Sequence, residues 1–370
     1  AWFHCASLGE FEQGRSVLEA FRREFPHYKI LLTFFSPSGY EQRRNYAGAD
    51  VVSYLPADTP ANARRFVGLV KPSLVVWVKY EFWFHHLCEL HERNVPVALI
   101  SAIFRPDQLF FKYYGSFYRK ILGFFDRLFV QNEESLRLLR SIGVSHATLG
   151  GDTRFDRVVE IAAAPTRFPL VERFKGNAQL LVVGSLWPDD WAVIRRWYSQ
   201  FRIHNSPFKI LLAPHETIPA QIDRWMAGAG VPALRYSQVT SPDGESEAVE
   251  TAEILWVDTI GMLSSLYQYA DYAFIGGAYG DGLHNVLEAA VYGVPLFFGD
   301  KHYQKFQEAH DLLALGAAFA VADADALASA LSPLRADETE RRRVAGLAVT
   351  YVRDHVGATE RVLGWLREKA

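Results

Sequence analysis

Apolar and polar residues follow two different spacings along this chain, and segments of the two kinds alternate. Short runs of β-branched and aromatic residues predict strands at residues 2–6, 29–34, 51–54, 74–77, 97–101, 128–131, 180–184, 209–213, 254–257, 272–275, 295–298 and 319–321. Longer amphipathic segments predict helices between them, for example at residues 14–24, 133–142, 189–200 and 263–269. This alternation predicts an α/β fold with parallel sheets, and the nearly all-apolar strands predict that helices cover both sheet faces.

The alternation is interrupted once, at residues 161–176, where alanines and two prolines precede a charged stretch. It then starts again, so we predict two similar domains, residues 1–165 and 177–345, with a cleft between them. Residues 335–370 are helical in composition, and we expect the last helix to pack against the rest of the protein.

Composition narrows the possible functions. A length of 370 residues fits two domains, and 39 basic residues against 42 acidic ones argue against a general polyanion binder, so we expect no nucleic-acid partner. Cys5 and Cys88 are too few for a disulfide framework. No apolar run approaches the roughly 20 residues of a membrane-spanning helix. Because the chain begins at Ala1 in a predicted strand, we expect a native N-terminal segment before it.

Ligands of parallel sheets bind beyond the carboxyl ends of the strands, so the residues that follow each strand are the first candidates. Ser7, Gly9 and Glu10 follow the first predicted strand, where Gly9 permits a tight turn. Glu10 then lies near the start of the next helix. A carboxylate there either caps the helix or acts as a general base, and both roles remain open.

Glu81 occupies a similar position after the fourth predicted strand, between aromatic residues. Burial by aromatic side chains raises the pKa of a carboxyl group, which suits acid–base chemistry. A salt bridge with Lys79 or an arginine is the structural alternative.

A glycine-rich segment follows the strand at residues 272–275. Gly276 and Gly277 end that strand, a loop follows, and a helix is predicted to open at Leu283. Backbone amides at a helix start bind anions, and Asn285 and Glu288 would share one face of that helix. We therefore predict a nucleotide-sugar site, with a phosphate at the helix start and Glu288 accepting from sugar hydroxyls.

Other polar residues at strand ends carry weaker signals. His215 is either an ordinary loop histidine or a ligand-binding residue, and Ser185 either caps a helix or touches a phosphate. Asp323 and Asp325 match a metal-binding Asp-x-Asp motif, but they precede a helical segment, so we predict helix capping. No histidine or cysteine cluster has zinc spacing, and we expect a mechanism without metal.

Several segments are together similar to the Kdo transferases (3-deoxy-D-manno-octulosonic acid transferases) of lipopolysaccharide assembly. The similar segments occur in the same order and are residues 2–10, 33–39, 81–83, 151–156, 258–261, 274–277, 284–288 and 293–299. The resemblance implies a GT-B fold of two Rossmann-like domains, with a C-terminal helix of about residues 350–370 that returns to the first domain. It also implies inverting transfer of Kdo from CMP-Kdo to a lipid A precursor, without metal or cofactor, at the cytoplasmic face of the bacterial inner membrane.

The resemblance also implies roles for single residues. Glu10 matches a general base, and Glu81 matches a second acidic residue in the acceptor cleft. Donor binding is expected at Arg154, Ser185, His215, Gly261, Gly276, Gly277, Asn285 and Glu288. Acceptor binding is expected at Ser7, Gly9, Ser38 and Gly39. The rival functions are another GT-B transferase or epimerase with a UDP-type donor, and a two-domain binding protein without catalysis.

One segment bears on a lipid substrate. Residues 104–129 interleave aromatic residues with five cations, a pattern found in segments that lie at a membrane surface. Ordinary amphipathic core helices would give a similar pattern. We expect Phe110, Phe111, Tyr113 and Tyr114 to include exposed side chains that dock on the inner membrane.

Overall fold

The computed structural model describes residues 1–201, 208–239 and 246–370 of the chain. Its strands are β1 Trp2–His4, β2 Leu31–Phe34, β3 Val51–Tyr54, β4 Val75–Val78, β5 Val97–Ala102, β6 Arg127–Val130, β7 Ala147–Leu149, β8 Gln179–Leu186, β9 Phe208–Pro214, β10 Ala233–Arg235, β11 Ile254–Trp256, β12 Tyr272–Ile275, β13 Leu296–Gly299 and β14 Ala318–Val321. The predicted strands are present, with shifts of a few residues at their ends.

The helices fill the segments between the strands. They are α1 Leu8–Glu24, α2 Pro37–Arg43, α3 Pro60–Val70, α4 Phe84–Glu92, α5 Ser116–Leu122, α6 Glu133–Ser141, α7 Thr153–Ala163, α8 Pro169–Lys175, α9 Pro188–Phe201, α10 Pro219–Ala227, α11 Ser246–Thr251, α12 Leu263–Leu266, α13 Leu287–Ala290, α14 Gln307–Leu315, α15 Ala324–Ala336, α16 Glu338–Asp354 and α17 Ala358–Lys369. Short 3₁₀ turns occur at Leu109–Phe111, Tyr236–Gln238 and Tyr267–Tyr269.

The chain forms two compact units. One unit comprises Ala1–Arg157 with His355–Ala370, and the other comprises Val158–Asp354. Each contains a parallel sheet of seven described strands, in the order β3-β2-β1-β4-β5-β6-β7 and β10-β11-β9-β8-β12-β13-β14. The first order extends the 3-2-1-4-5-6 order of the Rossmann fold, so the structure confirms the predicted α/β architecture of two Rossmann-like domains.

The first unit is held together on both faces of its sheet. Val75–Val78 is buried along its whole length, as expected of a central strand covered by helices. The last helix, α17, packs on α1, and its Trp365 and Leu366 join the core that contains Phe3 and Phe21. The backbone amides of Gly357 and Thr359, at the start of this helix, both donate to the Asp156 carboxylate at 2.6 Å. The C-terminal helix therefore returns to the first unit, as expected.

One helix begins earlier than predicted. The sequence predicts this helix at residues 14–24, but α1 begins at Leu8. Ser7 provides the cap, and a Cβ at position 14 would lie 2.9 Å from Val78, so Gly14 allows the helix to approach the sheet closely. The first turn of α1 consequently lies directly after β1.

The aromatic segment after β5 is partly exposed. Tyr113 is 94% exposed and Tyr114 is 57% exposed, together with Phe117 at 52%. The expectation that the four aromatic residues include exposed side chains is confirmed by these two tyrosines, whereas Phe110 is buried because its ring packs against Phe82 and Phe104.

Candidate active site

Glu10 lies in the first turn of α1, at the carboxyl end of β1. The Ser7 hydroxyl caps this helix and accepts the Glu10 N–H at 3.4 Å. The Glu10 carboxylate reaches back, and its Oε2 accepts the N–H of Ala6 at 2.6 Å. Ser7 is thus the cap, and Glu10 stabilises the turn between β1 and α1, a structural role close to the capping role expected of it. Within the described residues its other oxygen, Oε1, accepts no hydrogen bond.

The electrostatic surroundings of Glu10 suit proton transfer. The side chain is 9% exposed, and burial raises the pKa of its carboxyl to about 7. The Ala6 N–H and the positive charge of Lys79 act against this rise, whereas the charge of Glu81 adds to it. A carboxylate that titrates near neutral pH is well placed to act as a general base.

Glu81 follows β4 and is half-buried. Burial raises the pKa of its carboxyl, and the Trp83 side chain acts against the rise. The Trp83 ring in turn packs on Phe35, with 4.6 Å between ring centroids. Since Glu81 acts on the pKa of Glu10, the structure brings the two predicted carboxylates together at one sheet edge.

Lys79 is a residue of this edge that the sequence reasoning did not assign to the site. It follows β4 directly and has a backbone φ of 65°, in the left-handed region that residues with a Cβ rarely adopt. Its Nζ lies 5.5 Å from the centroid of the Tyr80 ring. Its place immediately after an all-apolar strand was the available signal.

The predicted acceptor residues differ in their surroundings. A Cβ at Gly9 would meet only the Ser7 hydroxyl, at 4.0 Å, so the backbone is open there. Ser38 is exposed and shares a 3.0 Å hydrogen bond with Ser36. Gly39 is buried in α2, where a Cβ would lie 2.2 Å from the Phe34 ring, so packing alone accounts for this glycine.

Arg154 belongs to the unit that contains Glu10, whereas the other predicted donor residues belong to the second unit. It follows Thr153 at the start of α7. Asp152, 7% exposed, holds its guanidinium, with Oδ2 2.8 Å from Nε and 2.6 Å from Nη2.

In the second unit, Gly276 and Gly277 follow β12 as predicted. A Cβ at Gly276 would lie 2.2 Å from the Ser185 carbonyl oxygen, and Gly277 has a φ of 96°. Only glycine fits these two positions, because the turn passes against the end of β8.

The Asp190 carboxylate holds this turn in place. The sequence analysis did not assign this residue to the site. Its Oδ2 accepts the N–H of Trp187 and the N–H of Gly277, each at 2.9 Å. The side chain is fully buried, and burial raises the pKa of its carboxyl to about 6. Asp190 is the third residue of α9, just as Glu10 is the third residue of α1.

Three rings stack beside the turn. The Trp187 ring lies over His215 with 4.5 Å between centroids, and His215 lies 4.5 Å from His284. The Trp187 Nε1–H donates to Nε2 of His284 at 3.0 Å. Burial, and then the neighbouring His215, lower the pKa of His284 to about 4, so this imidazole is neutral at pH 7. Since Nε2 accepts, the proton lies on Nδ1.

The prediction that a helix begins at Leu283 was wrong, because α13 covers only Leu287–Ala290. The N–H groups of Leu283 and His284 instead donate to the carbonyls of His302 and Gly276, which keep this stretch in the loop. The backbone amides of Leu283 and His284 are therefore not the free amides of a helix start that the predicted phosphate site requires. Asn285 nevertheless meets Glu288, with Nδ2 3.2 Å from Oε1.

Besides Gly277, two further predicted donor residues have backbones in the left-handed region. Ser185 lies in β8 with a φ of 52°, where the register between β8 and β9 shifts. Gly261, with a φ of 89°, lies in an exposed loop, and a Cβ there would meet no atom within 4 Å.

Within residues 1–201, 208–239 and 246–370, no group of three or more His, Cys, Asp or Glu side chains is arranged to hold a metal ion. Asp323 is the N-cap of α15, with Oδ1 2.9 Å from the Ala326 amide, so the capping prediction is confirmed. In the same described ranges, no helix has the length and apolarity needed to cross a bilayer.

The proteins that are similar to this chain in sequence share one description. Residues 1–157 match the family model described as 3-deoxy-D-manno-octulosonic-acid transferase (kdotransferase). The 3-deoxy-D-manno-octulosonic acid transferase of Bordetella pertussis is 26% identical, with 99% of this chain and 86% of that protein covered. The enzyme of the same name from Aquifex aeolicus is 26% identical, with 90% and 85% covered.

Solved structures confirm the fold class. The UDP-GlcNAc 2-epimerase of Neisseria meningitidis superposes with a TM-score of 0.67 at 11% identity, with 99% of each chain covered. The calicheamicin glycosyltransferase CalG4 superposes with a TM-score of 0.58 at 13% identity, with 100% of this chain and 97% of CalG4 covered. At such identities these likenesses show the GT-B fold alone.

Proposed function

We propose that this chain, a glycosyltransferase related over nearly its whole length to the Kdo transferases, moves Kdo from CMP-Kdo to the distal glucosamine of a lipid A precursor in lipopolysaccharide assembly. The relatives support the substrates, since they carry the name of this reaction. The observation that carries the mechanism is Glu10, a nearly buried strand-end carboxylate with a pKa of about 7.

In the proposed step, Glu10 takes the proton of the acceptor hydroxyl through Oε1. The hydroxyl oxygen then forms a bond to the anomeric carbon of Kdo from the side opposite the phosphate. The bond between that carbon and the phosphate oxygen breaks, and CMP leaves with the electron pair. A single displacement of this kind inverts the anomeric centre and needs one base, whose contribution is typically about 10²–10⁴-fold.

We assign donor binding to the second unit. The neutral His284 can donate its Nδ1–H to an oxyanion, and the pair of Asn285 and Glu288 offers groups for sugar hydroxyls. His215 is exposed at one side of the ring stack, where it is accessible to a ligand. Arg154 stays a proposed ligand of the donor. No metal takes part in this proposal, so a chelator should leave turnover unchanged.

The direct test is mass spectrometry of a tetra-acylated lipid A precursor after incubation with CMP-Kdo and the enzyme. A product heavier by one or more Kdo residues supports the proposal, and an unchanged acceptor contradicts it. A thermal-shift panel with CMP, UMP and UDP separates the rival with a UDP-type donor, because the proposal requires selective stabilisation by CMP.

We also propose that the exposed aromatic segment docks this enzyme on the inner membrane, where its lipid acceptor would lie. Tyr113, Tyr114 and Phe117 are exposed near Lys112 and Lys120, a combination of rings and cations that suits an anionic lipid surface.

The docking proposal is tested on vesicles that contain anionic lipid. The double change Tyr113→Ser and Tyr114→Ser should lower vesicle binding and activity on vesicle-bound acceptor, while the affinity for CMP stays the same. Leu69→Ser, at another exposed apolar position of the same unit, is the matched control. Unchanged vesicle binding would mean that another segment docks the enzyme.

A further inference from the structure

Lys79 has a backbone conformation that the surrounding structure must hold in place. Its φ of 65° is disfavoured for a residue with a Cβ, and such conformations cluster at functional sites. Its N–H donates to the carbonyl of Ile100 in β5 at 3.0 Å. The strand end is therefore fixed just where the lysine side chain leaves it.

The neighbouring strand end is held in the same way. Ser101, in β5, has a φ of 53°, and its hydroxyl lies 2.9 Å from the Thr153 hydroxyl. Thr153 in turn donates to the carbonyl of Gln13 in α1, one turn after Glu10. This chain of hydrogen bonds joins the end of β4, the bulge of β5, the start of α7 and the first turns of α1.

Arg154 directly follows Thr153, which belongs to this series of hydrogen bonds. Asp152 fixes its guanidinium by two contacts from one carboxylate oxygen, at 2.8 and 2.6 Å. Asp152 is itself 7% exposed and also accepts the Arg154 N–H at 2.9 Å. The orientation of this arginine is therefore set before any ligand binds.

Tyr80 joins the two cations. The Lys79 Nζ lies over its ring at 5.5 Å. Burial raises the pKa of the Tyr80 hydroxyl, and the positive charges of Arg105 and Arg154 act against that rise. The acidic groups that face the same hydroxyl are Asp152 and Glu10. The Lys79 ammonium thus lies over the Tyr80 ring, and the charge of Arg154 acts on the same side chain.

We propose that Lys79, directly after β4, and Arg154, at the start of α7, form a subsite for an oxyanion, a phosphate or a carboxylate, carried by a substrate that binds beside Glu10. Ammonium and guanidinium groups are the side chains that bind such oxyanions by charge-assisted hydrogen bonds. This inference rests on the proposed function and adds a recognition element to it. The anion is either a phosphate of the acceptor or an acidic group of the donor.

The central variant is Lys79→Met, which removes the charge and keeps the length of the side chain. Lys71→Met is the matched control, because Lys71 also has a left-handed φ, at 46°, and is exposed on the same unit. Lys79→Arg restores the charge. For Lys79→Met, measured above about pH 8 where Glu10 has lost its proton, we expect a KM about tenfold or more higher for one substrate, with kcat and the other KM within about threefold.

The substrate whose KM rises identifies the source of the anion. If it is the acceptor, removal of its phosphate groups should raise the KM of the wild type and abolish the difference from Lys79→Met. If it is CMP-Kdo, the difference should persist with the dephosphorylated acceptor. Lys79→Arg should recover most of the wild-type KM, and Lys71→Met should behave as the wild type.

A binding measurement separates this inference from the proposed reaction. Inorganic phosphate should raise the Tm of the wild type and of Lys71→Met, and it should do so much less for Lys79→Met. Equal Tm shifts in all three proteins would overturn the subsite even if Kdo transfer is established. Unchanged KM values with a displaced acid limb of the pH profile would overturn it too, since Lys79 would then act only as a counter-ion of Glu10.

Discussion

The first strand of each unit leads into a helix whose third residue is an acid, Glu10 in α1 and Asp190 in α9. Both carboxylates reach back to a backbone amide at the start of their helix, and burial raises the pKa of each. They differ in what else they touch. Asp190 is fully buried and binds a second amide, that of Gly277, whereas Glu10 is 9% exposed and faces Lys79 and Glu81.

The difference shows how one local device serves two purposes. With both backbone bonds made inside the protein, Asp190 holds a loop in place for ligand binding. In the described part of the chain Asp190 also leaves one oxygen, Oδ1, without a partner, but that oxygen is buried, whereas Glu10 is 9% exposed and can exchange a proton with a substrate. The two carboxylates occupy the same place in their helices. Their burial and their number of backbone partners separate the structural residue, Asp190, from the proposed general base, Glu10.

The largest effect on activity is expected for Glu10→Gln, which removes the proposed base. It should lower kcat by about 10²-fold or more, because a general base contributes at least that much. Steady-state turnover and a thermal melt are measured together. Glu12→Gln, on the same helix with a side chain that is 39% exposed, is the control. If Glu10→Gln keeps more than about a third of the wild-type kcat, Glu10 has only a structural role.

Glu288→Ala tests the second unit at its sugar-binding pair. It should weaken CMP-Kdo binding about tenfold, the cost of losing one charged hydrogen-bond acceptor. Calorimetry with the donor gives the affinity, and Glu340→Ala, an exposed acid of α16, is the control. An unchanged affinity would make Glu288 a structural residue.

Asp190→Asn sharpens the comparison from the structural side. The amide oxygen of Asn can still accept both backbone N–H groups, but as an uncharged acceptor, and its NH2 group would be buried without a partner where Oδ1 lies, so we expect a loss of about 1–3 kcal/mol in the free energy of unfolding. Chemical denaturation measures it, with the exposed Asp189→Asn as control. A stable variant with kcat lowered as far as that of Glu10→Gln would assign Asp190 to the chemistry instead.

The smallest expected effect is a pH dependence of opposite sign for activity and stability. Glu10 has a pKa of about 7 in the folded protein against an ordinary 4.5, so the folded state binds more protons between these values. Its contribution to the free energy of unfolding therefore falls as pH rises from about 4.5 to 7. Turnover should rise toward pH 7, as the base loses its proton.

Activity profiles and denaturation curves between pH 5 and 8 check these two signs. In Glu10→Gln the Glu10 part of the stability change should disappear, while Asp190→Asn should keep the acid limb of activity. Activity and stability that rise together through this interval in the wild type would contradict the raised pKa of Glu10.

Local sequence signals determined the repeating strands and helices of both units. The apolar runs are long enough to define central strands such as Val75–Val78, whereas the helix predicted at residues 14–24 begins six residues earlier, at Leu8. Two edge strands were missed, Ala147–Leu149 and Ala233–Arg235, because three residues without an apolar run carry little signal and pair only with a sheet already formed.

The sequence by itself also placed Glu10, Glu81 and the glycine turn at strand ends, since that depends only on the order of elements along the chain. Tertiary structure decided the rest. Pairing between distant strand ends brought Glu81 and Lys79 to Glu10, buried Asp190 against Gly277 and ended the helix predicted at Leu283. Burial and backbone pairing arise between segments far apart in sequence, so no local pattern contains them.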